Sequence, residues 1–208
     1  MASDPQTWTE LKSSLAEWLN RADLTAKIPE FIALAERKFD RVLIVPEREA
    51  VSATVTAADS ALNLPTGYWE MRSVQLTADP KVTLQPMSSN ELNRSYQNNT
   101  TGQPQAYAIV AGQLVFGPVP DAAYAISMDY YTTIPKLGSG QATNWLLTAH
   151  PDLYIWTSLL MAEAYLWNDK RLDVWKAASD ETLGEIIETG NRKNRGPIRL
   201  RNPVKGWV

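Results

Sequence analysis

Three observations on the sequence predict an α+β fold. Apolar residues recur at helical spacing in the first and last thirds, the middle alternates at period two, and a basic stretch with neither pattern ends the chain. The expected architecture is a helical bundle of two N-terminal and two C-terminal helices (residues 1–46 and 138–190). It carries a β-rich insertion (residues 47–137) and an extended basic C-terminal arm (residues 191–208). With 208 residues, 44% of them hydrophobic and 21% charged, the chain is long and apolar enough to bury a core rather than stay disordered.

The N-terminus reads as a helix. Asp4 is placed to cap it, Pro5 suits its first position, and Trp8, Leu11, Leu15, Trp18 and Leu19 fall on one face. After the break NRADLTAKI, a second helix starts at Pro29. Ile28, Ile32, Ala35 and Phe39 recur on one side of it, while Glu36, Arg37, Lys38, Asp40 and Arg41 populate the rest. Pro46 bars continuation, so the helix should end near Leu43. The period then changes to that of strands: EAVSATVTA, YWEMRSVQLTA, KVTLQPM, QAYAIVAGQLVFGP and AYAISMDYYTTI. Turn signals divide them, and Ala111-Gly112 predicts a tight hairpin. SSNELNRSY reads as a short helix capped by Ser89, with Leu92 and Tyr96 on a shared face.

The connector KLGSGQATN leads back to helix. Pro151 opens a long apolar helix with His150 as its formal N-cap, running to Asn168. After NDK, a last helix from Arg171 to Thr189 carries Leu172, Trp175, Leu183 and Ile186 on one stripe, and Gly190-Asn191 reads as its stop. Twelve of the eighteen residues from Pro151 to Asn168 are apolar or aromatic, and only Asp152 and Glu163 carry charge. The apolar run is about fifteen residues and Glu163 interrupts it, whereas a bilayer span needs about twenty. No membrane partner is expected. Such a helix requires protein on several sides, from neighbouring helices or another subunit. Trp145, Leu146, Leu147, Tyr154, Trp156, Leu160, Trp167 and Trp175 are therefore assigned to core or subunit-interface packing. A base-stacking platform would instead interleave its aromatics with Lys and Arg on strands.

Signals for catalysis are weak. With no cysteine, disulfides, thiol chemistry and Cys-ligated metals are excluded. The single histidine, His150, has no second histidine to complete a metal site and reads as a helix-start residue. Gly138-Ser139-Gly140 lacks the strand-then-lysine context of a phosphate loop and reads as linker. Asp152 and Glu163 lie roughly 16 Å apart by helical rise, too far to act as a catalytic pair unaided. The N-terminus MASDPQTW has no basic-then-apolar pattern, so no export signal is expected. The expectation is a protein that is not an enzyme, with no cofactor and no metal.

The C-terminal arm, NRKNRGPIRLRNPVKGWV, contains six basic residues and no acidic one, leaving the other 190 residues with 14 basic against 23 acidic. It reads as a solvated tail, as a nucleic-acid contact that neutralises phosphates, or as a segment that docks on an acidic protein surface. Ile198, Leu200, Val204 and Trp207 between the charges favour protein docking, because an electrostatic tail needs no apolar anchors. The docking residues are then Arg192, Lys193, Arg195, Ile198, Arg199, Leu200, Arg201, Val204, Lys205 and Trp207.

Four segments in a fixed order resemble one family: Leu15 to Arg41, containing IPEFIALAE; Leu64 to Leu76; Gly102 to Leu137, ending YYTTIPKL; and Thr143 to Trp175, opening TNWLLTAHPDLY. Over about residues 10 to 190 the chain resembles the adaptor, or head-tail connector, proteins of tailed bacteriophages. The resemblance implies a structural virion protein at the head-tail interface, assembled in the host cytoplasm. It implies a homo-oligomeric ring, commonly twelve-fold, docked beneath the portal protein. That ring would continue the DNA channel without sequence-specific contact, close the head and offer a platform to tail or nozzle proteins. It implies a helical bundle with a β-rich insertion. By position only, the last eighteen residues correspond to the family's portal-docking segment. The alternative is a nucleic-acid-binding accessory protein that uses the same basic arm.

Overall fold

The computed structural model describes residues 4–52, 55–57, 60–77, 80–97, 100–166 and 170–194. In chain order these form α1 (Trp8–Leu19) and α2 (Ile28–Val42), then β1 (Glu49–Val51), β2 (Val55–Ala57), β3 (Ala61–Asn63), β4 (Tyr68–Leu76), β5 (Val82–Thr83) and β6 (Gln85–Pro86). There follow α3 (Ser89–Ser95), β7 (Ala106–Val110), β8 (Gln113–Gly117) and β9 (Tyr124–Thr132), and finally α4 (Trp145–Ala149), α5 (Pro151–Met161) and α6 (Arg171–Asn194). The class is α+β, as the sequence predicts. The chain divides into a helical unit, Met1–Glu47 with Ile134–Val208, and a β-rich unit, Arg48–Thr133.

In the helical unit, α1 starts later than expected. Thr7, not Asp4, is the N-cap: its hydroxyl accepts the Glu10 N–H at 3.3 Å, and the Glu10 carboxylate accepts the Thr7 and Gln6 N–H groups at 3.2 and 2.8 Å. This reciprocal capping box satisfies more orphan donors than a lone aspartate upstream. Leu11, Leu15 and Leu19 face the core, while Trp18 stays 45% exposed.

α5 is the central helix of this unit. It packs against α1, α2 and α6, with α4 at its start, so protein covers it on several sides. This explains its nearly uniform apolar surface. Phe39 of α2 meets Tyr154 edge to face at 5.0 Å, and Trp18 of α1 meets Trp156 at 5.2 Å. On the α6 side the Thr157 and Ser179 hydroxyls bond to each other at 2.9 Å, both fully buried. Two small polar residues let the helix backbones approach while satisfying each other.

Two helix ends differ from expectation. The apolar helix stops at Met161 instead of reaching Asn168, and a 3-10 turn, Glu163–Tyr165, follows. The tighter turn sets the Tyr165 ring 5.5 Å from Phe31 and its carbonyl 3.2 Å from the Arg21 guanidinium. The last helix does not stop at Thr189 but continues through Gly190 to Asn194. Gly190 serves close packing rather than termination: a Cβ there would lie 2.9 Å from Val45 Cγ1 and 3.3 Å from Pro46 Cδ.

The β-rich unit contains two sheets, one ordered β1-β9-β4-β5 with β2 also on β9, the other β3-β8-β7-β6. Alternation along β9 turns Ile126, Met128 and Tyr130 inward. There they share one core with Val74, Leu76, Leu84, Tyr107, Leu114 and Phe116 from both sheets. The β7–β8 hairpin turns on Ala111 and Gly112, both at positive φ (49° and 78°), the pairing a two-residue type I′ turn requires. α3 is capped by Ser88 rather than Ser89, through the Glu91 N–H at 3.2 Å. Leu92 and Tyr96 sit over Gly117, where a Cβ would come within 2.7 Å of both side chains. Arg48 is buried in this unit, donating from Nε to the Thr132 carbonyl at 2.7 Å beneath the Trp69 ring.

Candidate functional site

Three of the motifs that carry the family resemblance converge in the helical unit. From α2, Glu36 Oε1 accepts the Leu137 N–H at 2.8 Å, and one turn later Asp40 Oδ1 accepts the Ile134 N–H at 3.0 Å. Asp40 Oδ2 also pairs with Lys136. Asn144 caps α4 through the Leu147 N–H at 2.8 Å. Its amide donates to the Pro135 carbonyl and to the Tyr154 hydroxyl, each at 2.8 Å. The Tyr154 hydroxyl donates in turn to Glu36 at 3.4 Å. IPEFIALAE, IPKL and TNWLLTAHPDLY are thus one buried polar clamp that grips the backbone of residues 134–137.

The sequence reading set Glu36 and Asp40 on the outer face of α2, yet they are 2% and 7% exposed. Their spacing of four residues, in register with Ile32, Ala35 and Phe39, is the signal that marks them as inward-facing. Burial raises the Glu36 carboxyl above the usual glutamate value, against the opposing pull of the Leu137 N–H, Lys136 and Tyr154. Burial likewise pushes the Tyr154 hydroxyl above the ordinary tyrosine range. These carboxylates face backbone amides, so the arrangement holds a chain segment in place.

A cavity of about 250 Å³ opens where α4, α5 and α6 meet, and neither clamp carboxylate lines it. Trp145, Ala149, His150 and Asp152 form one side, Thr182, Glu185, Ile186, Thr189, Gly190 and Lys193 the other, with Glu47 at its edge. Lys193 forms an ion pair with Glu47. A second recess shares Ala149 and Asp152 with the first and extends past Pro151 and Ile155 to Trp156, Trp18, Pro5 and Asp4. Among the described residues, no group of three or more His, Cys, Asp or Glu side chains is arranged to hold a metal. Nor is any described helix long and apolar enough to cross a membrane.

The structure separates the residues assigned to packing. Leu146, Leu147, Tyr154 and Trp175 are buried inside the helical unit, whereas Trp145, Trp156 and Leu160 are half-buried. Trp167 lies outside the described residues. Of the docking residues, Arg192 and Lys193 stand on the last turn of α6 rather than on an extended arm, and Arg192 donates to the Thr189 hydroxyl at 3.1 Å. Arg195, Ile198, Arg199, Leu200, Arg201, Val204, Lys205 and Trp207 lie outside the described residues.

The family model for the SU10 adaptor protein matches residues 6–201. Among curated proteins no match is found.

Proposed function

The chain belongs to the SU10 adaptor protein family, and on that premise we propose that it is a structural virion protein that forms a ring between portal and tail. The observation that carries this reading is the extent of the family match, from before α1 through both units and the whole of α6 to Arg201. The clamp supports it, since the motifs that resemble head-tail connectors encode a structural junction and not a reaction centre.

In this reading the subunit has no catalytic role. Copies assemble laterally, commonly twelve to a ring, around the path of the DNA, which passes without sequence-specific contact. Trp18, Leu34, Ile44 and Val174, large apolar side chains exposed on the helical unit, are candidates for lateral contact. The basic segment after α6 docks on the portal, and many copies engaging together give an affinity that one arm does not supply. Tail or nozzle proteins bind the opposite end of the ring.

The test is co-sedimentation of the full-length chain with its portal protein, with micrographs of the complex. The expected result is a ring on the portal, lost when Arg195, Arg199, Arg201 and Lys205 are all changed to Glu. Failure of the full-length chain to bind portal overturns the adaptor reading. Binding to generic duplex DNA with a steep salt dependence, and none to portal, would establish the accessory nucleic-acid role instead.

A further inference from the structure

We propose that the groove beside the α4–α5 junction is a docking site for this chain's own basic C-terminal segment, residues 195–208. The two recesses share Ala149 and Asp152, so they form one track across the helical unit. Its charges are acidic: Asp4, Asp152 and Glu185 line it, and the one lysine among its lining residues, Lys193, is already paired with Glu47. From Lys176 to Arg192, α6 carries Asp180, Glu181, Glu185 and Glu188 with no basic residue between them. The segment that follows carries Arg195, Arg199, Arg201 and Lys205 and no acid. The two are complementary in sign.

The walls match the segment in shape chemistry as well. Trp145, Trp156 and Trp18 flank the track with partly exposed indoles, surfaces that accept guanidinium groups and apolar side chains alike. This unit already uses that pairing, with the Arg171 guanidinium 4.9 Å from the Trp175 ring. The segment alternates its charges with Ile198, Leu200, Val204 and Trp207.

Connectivity selects this chain over any other source. Gly190 and Lys193 line the groove on the last described turns of α6, so the segment's point of attachment lies at the groove's edge. Gly196-Pro197 immediately afterwards suits a reversal of direction. The segment's full extended reach, roughly 46 Å, is ample to follow the track back. A tether this short gives an effective concentration on the order of millimolar, so modest contacts suffice for occupancy. An arm held this way is withheld from other partners until one outcompetes the groove. That release step rests on the ring reading, whereas the docking itself does not.

The chain has no cysteine, so disulfide trapping in the full-length protein needs no background removal. Thr182→Cys is paired in turn with Ile198→Cys, Leu200→Cys or Val204→Cys, and each variant is oxidised mildly and resolved on non-reducing gels. Circular dichroism confirms folding of every variant. The expected result is an intrachain disulfide in at least one pair, formed about tenfold more slowly when Asp152→Lys and Glu185→Lys are added, as loss of tethered occupancy requires. Three results overturn the proposal: no disulfide in any pair, trapping unaffected by charge reversal, or predominantly interchain disulfides, which identify a second copy as occupant. None of these outcomes depends on portal binding, so the adaptor reading is judged separately.

Discussion

The Glu36 carboxylate accepts the backbone N–H of Leu137 at 2.8 Å across 101 residues of sequence. Asp40, one helical turn further along α2, does the same for Ile134 at 3.0 Å. Two carboxylates four residues apart on one helix face therefore meet two backbone donors three residues apart on the connector. The helix supplies acceptors where the connector has neither sheet nor helix partners for its amides.

Replacing Glu36 by Ala should destabilise the helical unit by about 2–4 kcal/mol, because the buried Leu137 N–H and the Tyr154 hydroxyl both lose an acceptor. Tyr154→Phe, which removes one member but keeps the ring against Phe39, should cost about 1–2 kcal/mol. Urea unfolding followed by tryptophan fluorescence measures both. Equal stability of Glu36→Ala and the parent would mean that the clamp contributes nothing to the fold.

The pH dependence has a definite sign. Glu36 is raised above its ordinary value of 4.5 by burial. Its contribution to stability is therefore fully present below that value and is lost as pH rises through the folded-state pKa. Glu36→Gln cannot ionise and should gain stability relative to the parent as pH rises through that window. Unfolding free energies of the two proteins at a series of pH values test this. A difference that stays constant, or that moves the other way, contradicts the assignment.

Glycines within α6 should respond oppositely to alanine. At Gly184 a Cβ meets nothing within 4 Å, so Gly184→Ala should stabilise by about 0.5–1 kcal/mol through helix propensity. At Gly190 the same methyl meets Val45, and Gly190→Ala should destabilise by about 1–3 kcal/mol despite the better propensity. Thermal melts of the two variants give the comparison directly.

Ala111 occupies a left-handed position, φ 49°, in the β7–β8 turn. Ala111→Asn should stabilise the β-rich unit by about 0.5–1 kcal/mol, because asparagine tolerates this conformation better than alanine. Hydrogen exchange of the β7–β8 amides should slow accordingly. Faster exchange would show that the tip is held by something other than its turn geometry.

Much of the architecture is legible in the sequence. The spacing of Ile28, Ile32, Ala35 and Phe39 marked α2, the alternation in AYAISMDYYTTI marked β9, and Ala-Gly between two strand runs marked the hairpin. The length of the apolar run excluded a bilayer span and predicted a helix covered on several sides. The clamp was legible only as a pattern: IPEFIALAE, YYTTIPKL and TNWLLTAHPDLY stood out as family markers with no visible reason to belong together.

The sequence alone was enough for the class, for the order of the helical and β-rich segments apart from β3 and α4, and for the opposition between an acidic body and a basic end. These depend on local period and composition, and each can be read from a window of neighbouring residues. Tertiary structure alone decided which backbone amides Glu36 and Asp40 accept on that inward face, and that α6 passes through Gly190. It also decided that Arg192 and Lys193 end a helix instead of opening an arm. Each of those outcomes turns on a partner far away in sequence: Leu137 and Ile134 for the carboxylates, Val45 and Pro46 for the glycine, Glu47 for Lys193. A polar residue buries itself when a distant backbone donor needs it, and a helix requires glycine where a distant side chain leaves no room for a methyl.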